Sequence, residues 1–450
     1  MKPSAKILIA LLILFALAVV LFHAKKTDQV AENRDRLEIY FMYNEGESQS
    51  DWFAAAAEKF KSMHPGLRID ILYAGREVLG KLRPRMIIGN PPDLVNQGGD
   101  QLRPLMEDDL FEPLDDALAG PAFDSDTPWA DTFINGILDV YKWKNPKTGE
   151  EHYYQIPSGL FCYIFFYNVD QFERLHLEPP RTWSEFLHVC QVLKDNGIEP
   201  LAADGTELGY NIIWYGLLLT RTTTVKHVLD TAYGRPGNSW TEKCFVDAAR
   251  MVAELREKGY IMRGYEGSKW PSAQMQWVQG KCAVLYNGAW IPKEMKNKLP
   301  EGFRMGIFRA PIVEGYPDAD YLVQDIGAEC YAVPRGARNR DMAVEFLRFI
   351  TSREESKGLA DIDVPCATRG VPMPAALKGL DEMLAPPNRL VEGTAGITGD
   401  LADWYRIVAR NEWSDLFLGH VGPEEMCRRV QDAQDRFYQR ERALDRVPSQ

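Results

Sequence analysis

Apolar and polar positions near the start of the chain alternate in a way that predicts a strand, a helix and a second strand. Residues 37–43 (LEIYFMY) have the composition of a strand, and residues 52–63 form an amphipathic pattern that Asp51 can cap as a helix. The sequence HPG at 64–66 ends that helix, and residues 67–73 supply the next strand. This order predicts an α/β fold built on a mostly parallel sheet.

The stretch at residues 275–291 (MQWVQGKCAVLYNGAWI) places a helix end, a buried strand and an aromatic residue in immediate succession. Gly280 and Lys281 suit the carboxyl end of a helix. Residues 282–286 form a continuous apolar run, typical of a strand that is buried on both faces. Trp290 then follows the carboxyl end of this strand, where open α/β sheets bind ligands. Trp290 therefore either contacts a ligand or covers the end of a core strand.

The same patterns predict further strands along the chain. A third strand begins within PPDLV at 91–95, and the loop that follows it holds Gln97 and Asp100. Other strands are predicted at residues 153–157, 161–167, 304–308 and 321–333, and a helix is predicted at residues 341–351.

The first residues of the chain are predicted to direct its export. Residues 7–22 are almost purely apolar and have lysines on both sides. This run is short for a spanning helix, which needs ~20 residues, and that favours a signal peptide, while retention as a membrane anchor stays open. Residues 1–26 are therefore a signal peptide or signal anchor, and the polar residues 27–36 are a linker.

Composition limits the classes of function. The chain has 450 residues and is 45% hydrophobic, so it is too long for one core and predicts two or more lobes. Its net charge of -12 argues against nucleic acid as a partner. Seven cysteines are scattered without a CxxC pair and the seven histidines do not cluster, so neither a metal site nor a cofactor is predicted.

Catalytic motifs are missing from the sequence. It has no nucleophile elbow, no HExxH, no Walker loop and no Rossmann glycine pattern. Acidic pairs at 108–109 and 115–116 could act on glycosides, but adjacent carboxylates at loop and helix ends are more often capping groups. No catalytic residue is predicted. A binding protein, which needs only concave walls, aromatic faces and a few fixed polar groups, is favoured over an enzyme.

Short motifs along most of the chain resemble those of the bacterial extracellular solute-binding proteins, family 1, the sugar-binding group of ABC importers that includes maltose-binding proteins. The motifs that carry the resemblance are HPG at 64–66, PPDL at 91–94, LFEPLDD at 110–116, YYQIP at 153–157, FFYNVD at 165–170, PPRTWSEFL at 179–187, QGKCAVLYNGAWI at 279–291, EFLRFITS at 345–352 and GHVGPEEMCRRV at 419–430. The resemblance implies a periplasmic-binding-protein fold, in which two α/β lobes close by hinge motion around a ligand.

The resemblance also implies where the lobes divide. The amino-terminal lobe would comprise residues 37–145 and 315–352, and the carboxy-terminal lobe residues 146–314 and 353–450. The crossings between the lobes would fall near residues 141–155, 310–315 and 351–358.

Ligand contacts carried over from the family fall mainly at the ends of strands. Asn44 and Glu45 follow the first strand, and Gln97 and Asp100 follow the third. An aromatic residue often occupies the position of Gln97 in maltose-binding relatives, so one stacking surface is replaced here by an amide. Trp290 matches the tryptophan of the family's NGxW motif.

Further candidates lie elsewhere in the chain. Tyr210 and Asn211 fall in a segment where the family offers polar and aromatic contacts, and Trp404 belongs to a late aromatic pair. Asp325 and Arg369 lie near the crossing segments, where structural pairing is the alternative. Aromatic faces stack on the C–H side of a sugar while carboxylates and amides bind its hydroxyl groups, so both residue types are expected together.

The resemblance implies an extracytoplasmic protein, expected to be monomeric, that binds a mono- or oligosaccharide and delivers it to a membrane permease. It would be periplasmic, or held at the inner membrane by an uncleaved anchor. Two alternatives stay open: a glycan-active enzyme, and a binding protein for a polyamine, a peptide or a phosphorylated polyol. An acidic cleft without aromatic stacking would favour a cation, and a cluster of arginines would favour a phosphate.

Overall fold

We describe a computed structural model of the chain, which covers residues 35–145 and 147–443. The strands in these residues are β1 (Arg36–Phe41), β2 (Arg68–Tyr73), β3 (Leu94–Gly98), β4 (Lys142–Lys144), β5 (Glu151–Tyr153), β6 (Ile156–Phe161), β7 (Tyr163–Asn168), β8 (Glu199–Ala202), β9 (Cys282–Gly288), β10 (Met305–Phe308), β11 (Val323–Ala332) and β12 (Arg389–Glu392).

The α-helices that accompany these strands are α1 (Ser48–Met63), α2 (Val78–Ile87), α3 (Gly99–Glu107), α4 (Asp115–Ala119), α5 (Ile137–Val140), α6 (Val169–Arg174), α7 (Trp183–Asp195), α8 (Leu208–Thr222), α9 (Val225–Ala232), α10 (Lys243–Glu257), α11 (Ser272–Val278), α12 (Ile291–Met295), α13 (Arg340–Ile350), α14 (Arg353–Asp361), α15 (Leu380–Leu384), α16 (Ile397–Asp400), α17 (Ala402–Trp404), α18 (Arg410–Leu418) and α19 (Pro423–Ala443). Short 3-10 turns lie at Gly75–Glu77, Trp129–Thr132, Tyr265–Gly267 and Ala375–Leu377, and a π turn lies at Tyr405–Ala409.

The first sheet has the strand order β12-β11-β3-β1-β2, and β6 also pairs with β11. Within this sheet, β1 lies between β2 and β3 and is parallel to both. Leu37, Ile39 and Phe41 of β1 are buried, as the alternating pattern predicts, and Phe41 stacks on Phe53 of α1 at a ring distance of 4.1 Å. The predicted strand–helix–strand unit at the start of the chain is therefore confirmed.

The second sheet has the strand order β10-β7-β9-β8. All seven residues of β9 are buried, which confirms the prediction of a strand covered on both faces. Gly280 ends the preceding helical segment with a positive φ of 72°, the left-handed conformation that favours glycine. Trp290 lies two residues after the carboxyl end of β9.

Two mixed sheets with flanking helices make up the α/β two-lobe architecture. Parallel pairing joins β1 to β2 and β3, β8 to β9, and β11 to β12. Other neighbouring strands are antiparallel. β11 pairs in this way with β3 and β6, and β7 pairs in this way with β9 and β10. The prediction of mostly parallel sheets is thus correct for the opening unit but not for these strands.

The chain passes from one sheet to the other at positions that the strands define. Only Cys162 separates β6 in the first sheet from β7 in the second, so this passage lies after the predicted crossing near residues 141–155. The chain returns between β10 and β11, a span that includes the predicted crossing at residues 310–315. β12 joins the first sheet although the predicted division gives it to the other lobe, and the lobe boundaries stay a prediction.

The late helices of the chain pack around α8, which is buried along most of its length. Contacts join α8 to α10 and α18, while α19 lies against α10. No helix in residues 35–145 and 147–443 is long and apolar enough to cross a bilayer. The predicted signal segment at residues 1–26 and nearly all of the linker lie outside the described residues.

Candidate functional site

A cavity of about 830 Å³ lies between the two sheets, within the ~300–1,000 Å³ range of sites for small molecules. Loops after β1 and β3 form one wall of this interlobe cavity. The start of α8 and the segment after β9 form the opposite wall, and β6, β11 and residues 363–365 form its base. A ligand in the interlobe cavity would therefore contact side chains from both sheets.

The loop after β1 supplies polar groups to the first wall. Tyr43, Asn44, Glu47 and Gln49 all line the interlobe cavity. Glu47 accepts hydrogen bonds from the backbone N–H of Asn44 at 3.0 Å and from its side-chain amide at 2.7 Å. These bonds hold the conformation of the loop that lines the interlobe cavity.

The end of β3 and the first turn of α3 complete this wall with Gln97, Asp100 and Gln101. Gln97 is buried, and its side-chain oxygen accepts the N–H of Gly98 at 2.9 Å, which leaves its NH₂ group as a donor. The Asp100 carboxylate accepts a hydrogen bond from the Gln101 side chain at 2.6 Å. A carboxylate is favoured in the first turn of a helix because of the helix dipole.

Trp290 is the aromatic centre of the opposite wall. Its partly exposed ring lies edge-on to Tyr163 at 5.6 Å and to Phe161 at 6.0 Å. A Cβ at Gly288 would lie 2.2 Å from the indole, so only glycine lets the ring pack against the end of β9. Tyr210, in the first turn of α8, lines the same wall of the interlobe cavity. Trp290 therefore combines a fixed orientation with access to the interlobe cavity.

The interlobe cavity is acidic, although one ammonium group lies within it. The charged side chains that line it are Glu47, Asp100, Lys293, Glu294, Glu329 and Asp363. Lys293 donates a hydrogen bond to the side-chain oxygen of Gln49, and its ammonium lies 5.5 Å from the ring centre of Tyr43. Lys293 thus links the second wall to the first.

Burial changes the pKa values of Glu329, Lys293 and Glu294 in the direction that favours the neutral form of each. It raises the pKa of Glu329, while the hydroxyl of Tyr43, which donates a hydrogen bond to Glu329, and the charge of Lys293 act in the opposite direction. Burial lowers the pKa of Lys293, against the attraction of Glu329, Glu47 and Glu294. Glu294 also has a raised pKa because it is buried.

The structure brings together five of the ten residues that the sequence predicts as ligand contacts. These five line the interlobe cavity: Asn44, Gln97, Asp100, Tyr210 and Trp290. Glu45 is exposed beside Asn44 but does not line the cavity. Ligand contact by each of these residues remains a proposal.

Asn211 and Trp404 lie in structural contacts away from the interlobe cavity. Asn211 is buried, and its amide donates to the backbone oxygen of Gly205 at 2.8 Å and to the hydroxyl of Ser414 at 2.9 Å. Trp404 is also buried, and its indole N–H donates to Gln434 at 3.0 Å. The Asn211 amide thus links α8 to Ser414 of α18, and the Trp404 indole links α17 to Gln434 of α19.

Arg369 lies at a different cavity, of about 310 Å³, that also includes Arg348 and Arg353. Its guanidinium donates to the backbone oxygen of Phe133 at 3.2 Å and to the side chain of Asn135. These bonds fit the structural pairing that was the alternative for this residue. A role for Arg369 in binding a ligand gains no support from this position.

Asp325 lies in β11, where its carboxylate accepts the N–H of Ala395 at 3.2 Å. It does not line the interlobe cavity. Burial raises the pKa of Asp325 to about 6, although the Ala395 hydrogen bond and the charge of Arg221 oppose the shift. The folded protein therefore holds this proton more tightly than the unfolded chain, in which the pKa is ~3.9.

This shift predicts a pH-dependent contribution to stability. Because the pKa of Asp325 is higher in the folded state, the contribution is fully present below about pH 4 and is lost as the pH rises through about 6. Asp325→Asn should match the wild type near pH 4 and exceed it by about 2–3 kcal/mol near pH 8. Denaturant unfolding of both proteins at the two pH values measures the difference. A constant difference would contradict the assigned shift.

Sequence reasoning missed several cavity residues: Tyr43, Glu47, Gln49, Lys293, Glu294 and Glu329. Lys293 and Glu294 follow Trp290 by one helical turn, so the NGxW motif offered a usable signal for them. Glu329 lies where the register of β6 against β11 shifts, and no pattern in the sequence marks this irregularity.

The sequence is similar to those of known solute-binding and sugar-binding proteins. The family model described as bacterial extracellular solute-binding protein matches residues 46–357. The diacetylchitobiose binding protein NgcE of Streptomyces coelicolor is 25% identical over 320 residues, which is 68% of this chain and 64% of NgcE. A multiple sugar-binding protein of Streptococcus mutans is 22% identical over 244 residues, which is 53% of this chain and 56% of that protein. The chain thus spans less than two thirds of the length of these two relatives.

Solved structures share the fold over most of the chain. The apo form of RafE from Streptococcus pneumoniae has a TM-score of 0.72 at 19% identity, and covers 89% of this chain and 97% of RafE. A chitin oligosaccharide binding protein has a TM-score of 0.69 at 20% identity, and covers 89% of this chain and 98% of that protein. These similarities confirm the two-lobe fold. With the family model matched across more than half of its length, the chain belongs to the bacterial extracellular solute-binding proteins.

Proposed function

We propose that the protein is the substrate-binding component of an ABC importer and takes a mono- or oligosaccharide into the interlobe cavity. The observation that carries this proposal is the partly exposed ring of Trp290, held between two sheets and surrounded by carboxylates, amides and hydroxyls. An aromatic face can stack on the C–H side of a sugar ring. The surrounding groups supply the donors and acceptors that sugar hydroxyls require.

The names of the relatives support a carbohydrate as the ligand. One relative binds diacetylchitobiose and another is named for multiple sugars, while similar folds include a chitin oligosaccharide binding protein and RafE in complex with raffinose. Family membership implies an extracytoplasmic location. We infer that a monomer in the periplasm, or at the inner membrane on its N-terminal segment, hands the sugar to a permease and catalyses no reaction.

Contacts across the interlobe cavity support closure around the ligand. Lys293 reaches Gln49 on the opposite wall, and Lys296 forms an ion pair with Asp363 at 2.7 Å. Both lysines lie close behind Trp290, so movement of α12 with the second sheet would make or break these contacts. Hinge closure of this kind is the mode of motion of periplasmic binding proteins. We propose that the hinge lies at Cys162 and at the connection between β10 and β11, because the chain changes sheets there.

A cationic solute is the second candidate, because five carboxylates and a single ammonium line the interlobe cavity. A polyamine could pair with Asp100 and Glu294, which have no ion pair among the described residues. Trp290 would also attract a cation through its ring face. Carbohydrate remains the better fit, since hydroxyl donors satisfy the same carboxylates and the relatives whose names include a ligand are sugar-binding proteins.

A thermal-shift screen of the full chain separates these candidates. Chito-oligosaccharides, raffinose, monosaccharides, spermidine and glycerol phosphate are compared at the same concentrations. A ligand that binds only the folded state stabilises it by ~2.7 kcal/mol at a hundredfold excess over its dissociation constant. A sugar that raises the melting temperature supports the proposal. If only spermidine raises the melting temperature, the substrate is a cation and not a sugar. If no compound in the panel raises it, the result counts against both candidates.

A further inference from the structure

Three partly exposed side chains of different chemical types lie close together where α9 meets the start of α10. The imidazole of His227, the carboxylate of Glu242 and the thiol of Cys244 place one potential ligand atom each within 4.8 Å of one another. His227 belongs to α9, Glu242 immediately precedes α10, and Cys244 lies in its first turn. We propose that these residues form a binding site for a divalent transition metal of the zinc type.

The donor set fits such an ion. Imidazole nitrogen, thiolate sulfur and carboxylate oxygen are the three ligand classes of zinc, with bond lengths of about 2.0–2.3 Å. Ligand atoms around a tetrahedral ion of this size lie roughly 3.5 Å apart. The imidazole Nε2 of His227 already lies 3.3 Å from the Glu242 carboxylate. Small side-chain rotations therefore bring the three atoms into coordination, and water takes the fourth position.

Hydrogen bonds already orient the two harder ligands. The Nδ1 atom of His227 lies 2.8 Å from the hydroxyl of Thr223, so a proton on Nδ1 leaves the Nε2 lone pair for the ion. One carboxylate oxygen of Glu242 accepts the N–H of Ser239 at 2.7 Å, which leaves the other oxygen for the ion. Outer partners that fix ring orientation and carboxylate position are characteristic of metal sites.

Cys244 is the accessible thiol of the chain. The other six cysteines are buried, whereas Cys244 is partly exposed beside His227 and Glu242. Coordination exchanges the thiol proton for the metal ion, and the proton passes to solvent. A buried cysteine would be unable to receive an ion from solvent without local opening. The combination of exposure and two oriented partners distinguishes this thiol from the rest.

Titration with Co(II) tests the proposal directly. The full chain is reduced, stripped of metal with a chelator and titrated with Co(II), whose thiolate complexes show a strong charge-transfer absorption. We expect one equivalent to bind with this band and Zn(II) to displace it. Cys244→Ser should remove the band, and His227→Ala should weaken binding by at least about 100-fold, more than the loss of an outer partner.

Two further variants make the assignment specific. Thr223→Val removes only the outer partner of His227, and should weaken binding by about 10- to 100-fold while the charge-transfer band remains. His420→Ala is the control, because His420 lies 3.1 Å from the Asp415 carboxylate but no cysteine completes that pair among the described residues. Its binding should equal that of the wild type.

Each variant is melted in its metal-free form to verify that it folds. Saturable binding with the band in wild type and in His420→Ala, lost in Cys244→Ser, establishes the site. Failure of the wild type to bind one equivalent, or a band of equal strength in Cys244→Ser, overturns it. Binding of a sugar in the interlobe cavity is measured separately and does not depend on either result.

Discussion

Replacing Trp290 with alanine should weaken carbohydrate binding by about 2–4 kcal/mol, or roughly 30- to 1,000-fold in the dissociation constant. The partly exposed indole offers the stacking face of the interlobe cavity, and a tryptophan that becomes buried against a bound partner often carries a large share of the binding energy. Alanine removes that face and leaves the polar groups around it. Isothermal titration calorimetry with the sugar identified by the thermal-shift screen measures the loss.

Trp52→Ala serves as the matched control for this experiment. Trp52 is partly exposed like Trp290, but it donates its indole N–H to the backbone oxygen of Glu355 at 3.1 Å and does not line the interlobe cavity. Its loss should lower stability without changing the dissociation constant. Equal affinities of wild type and Trp290→Ala would exclude the indole as a binding surface, and an equal loss in both variants would indicate a general effect on folding.

Arg103→Met is expected to have the largest effect on stability, a loss of about 3–5 kcal/mol in the free energy of unfolding. The side chains of Arg103 and Glu392 form an ion pair in which each is only 6% exposed. Arg103 also donates to the backbone oxygen of Val140 at 3.3 Å and lies 5.2 Å from the ring centre of Trp143. Methionine fills much of the volume but leaves the Glu392 carboxylate buried without this guanidinium.

Denaturant unfolding of two further variants tests the explanation. The double variant Arg103→Met/Glu392→Met should recover part of the loss, because it also removes the cost of burying the Glu392 carboxylate without the Arg103 guanidinium. Arg406→Met is the exposed control, since Arg406 and Asp403 form an ion pair at 2.9 Å with side chains that are 61% and 77% exposed. It should change stability little. A double variant less stable than Arg103→Met would contradict the assigned cost of burying the Glu392 carboxylate without the Arg103 guanidinium.

The parts of the fold that follow from local periodicity could be predicted from sequence. β1, α1 and β2 have strong patterns of their own, and β9 is an uninterrupted apolar run. β12 has only four residues in a proline-rich segment and was not predicted. Its place beside β11 depends on pairing with a distant strand, which local composition cannot specify.

The candidate site shows the same limit at the level of side chains. Trp290 and Asp100 follow strand ends, so the direction of a parallel strand indicates the edge of the sheet where they lie. Trp404 has equally suitable chemistry, but it packs into a cluster with Trp240, at a ring distance of 5.4 Å, and that packing depends on how the late helices fold back. His227 and Cys244 show the opposite outcome, in which the structure brings together residues that the sequence does not group. They are seventeen positions apart, and the turn between α9 and α10 places them side by side.

Hydrogen–deuterium exchange of the full chain, with and without the identified sugar, tests most directly whether the interlobe cavity is the binding site. Binding that closes both walls on a ligand should slow exchange at residues 43–49, 97–101 and 290–294, which lie on opposite sheets. Protection confined to the smaller cavity, at residues 122–132 and 348–353, would place the sugar elsewhere. Coincident protection of both walls is the result that the proposed function predicts.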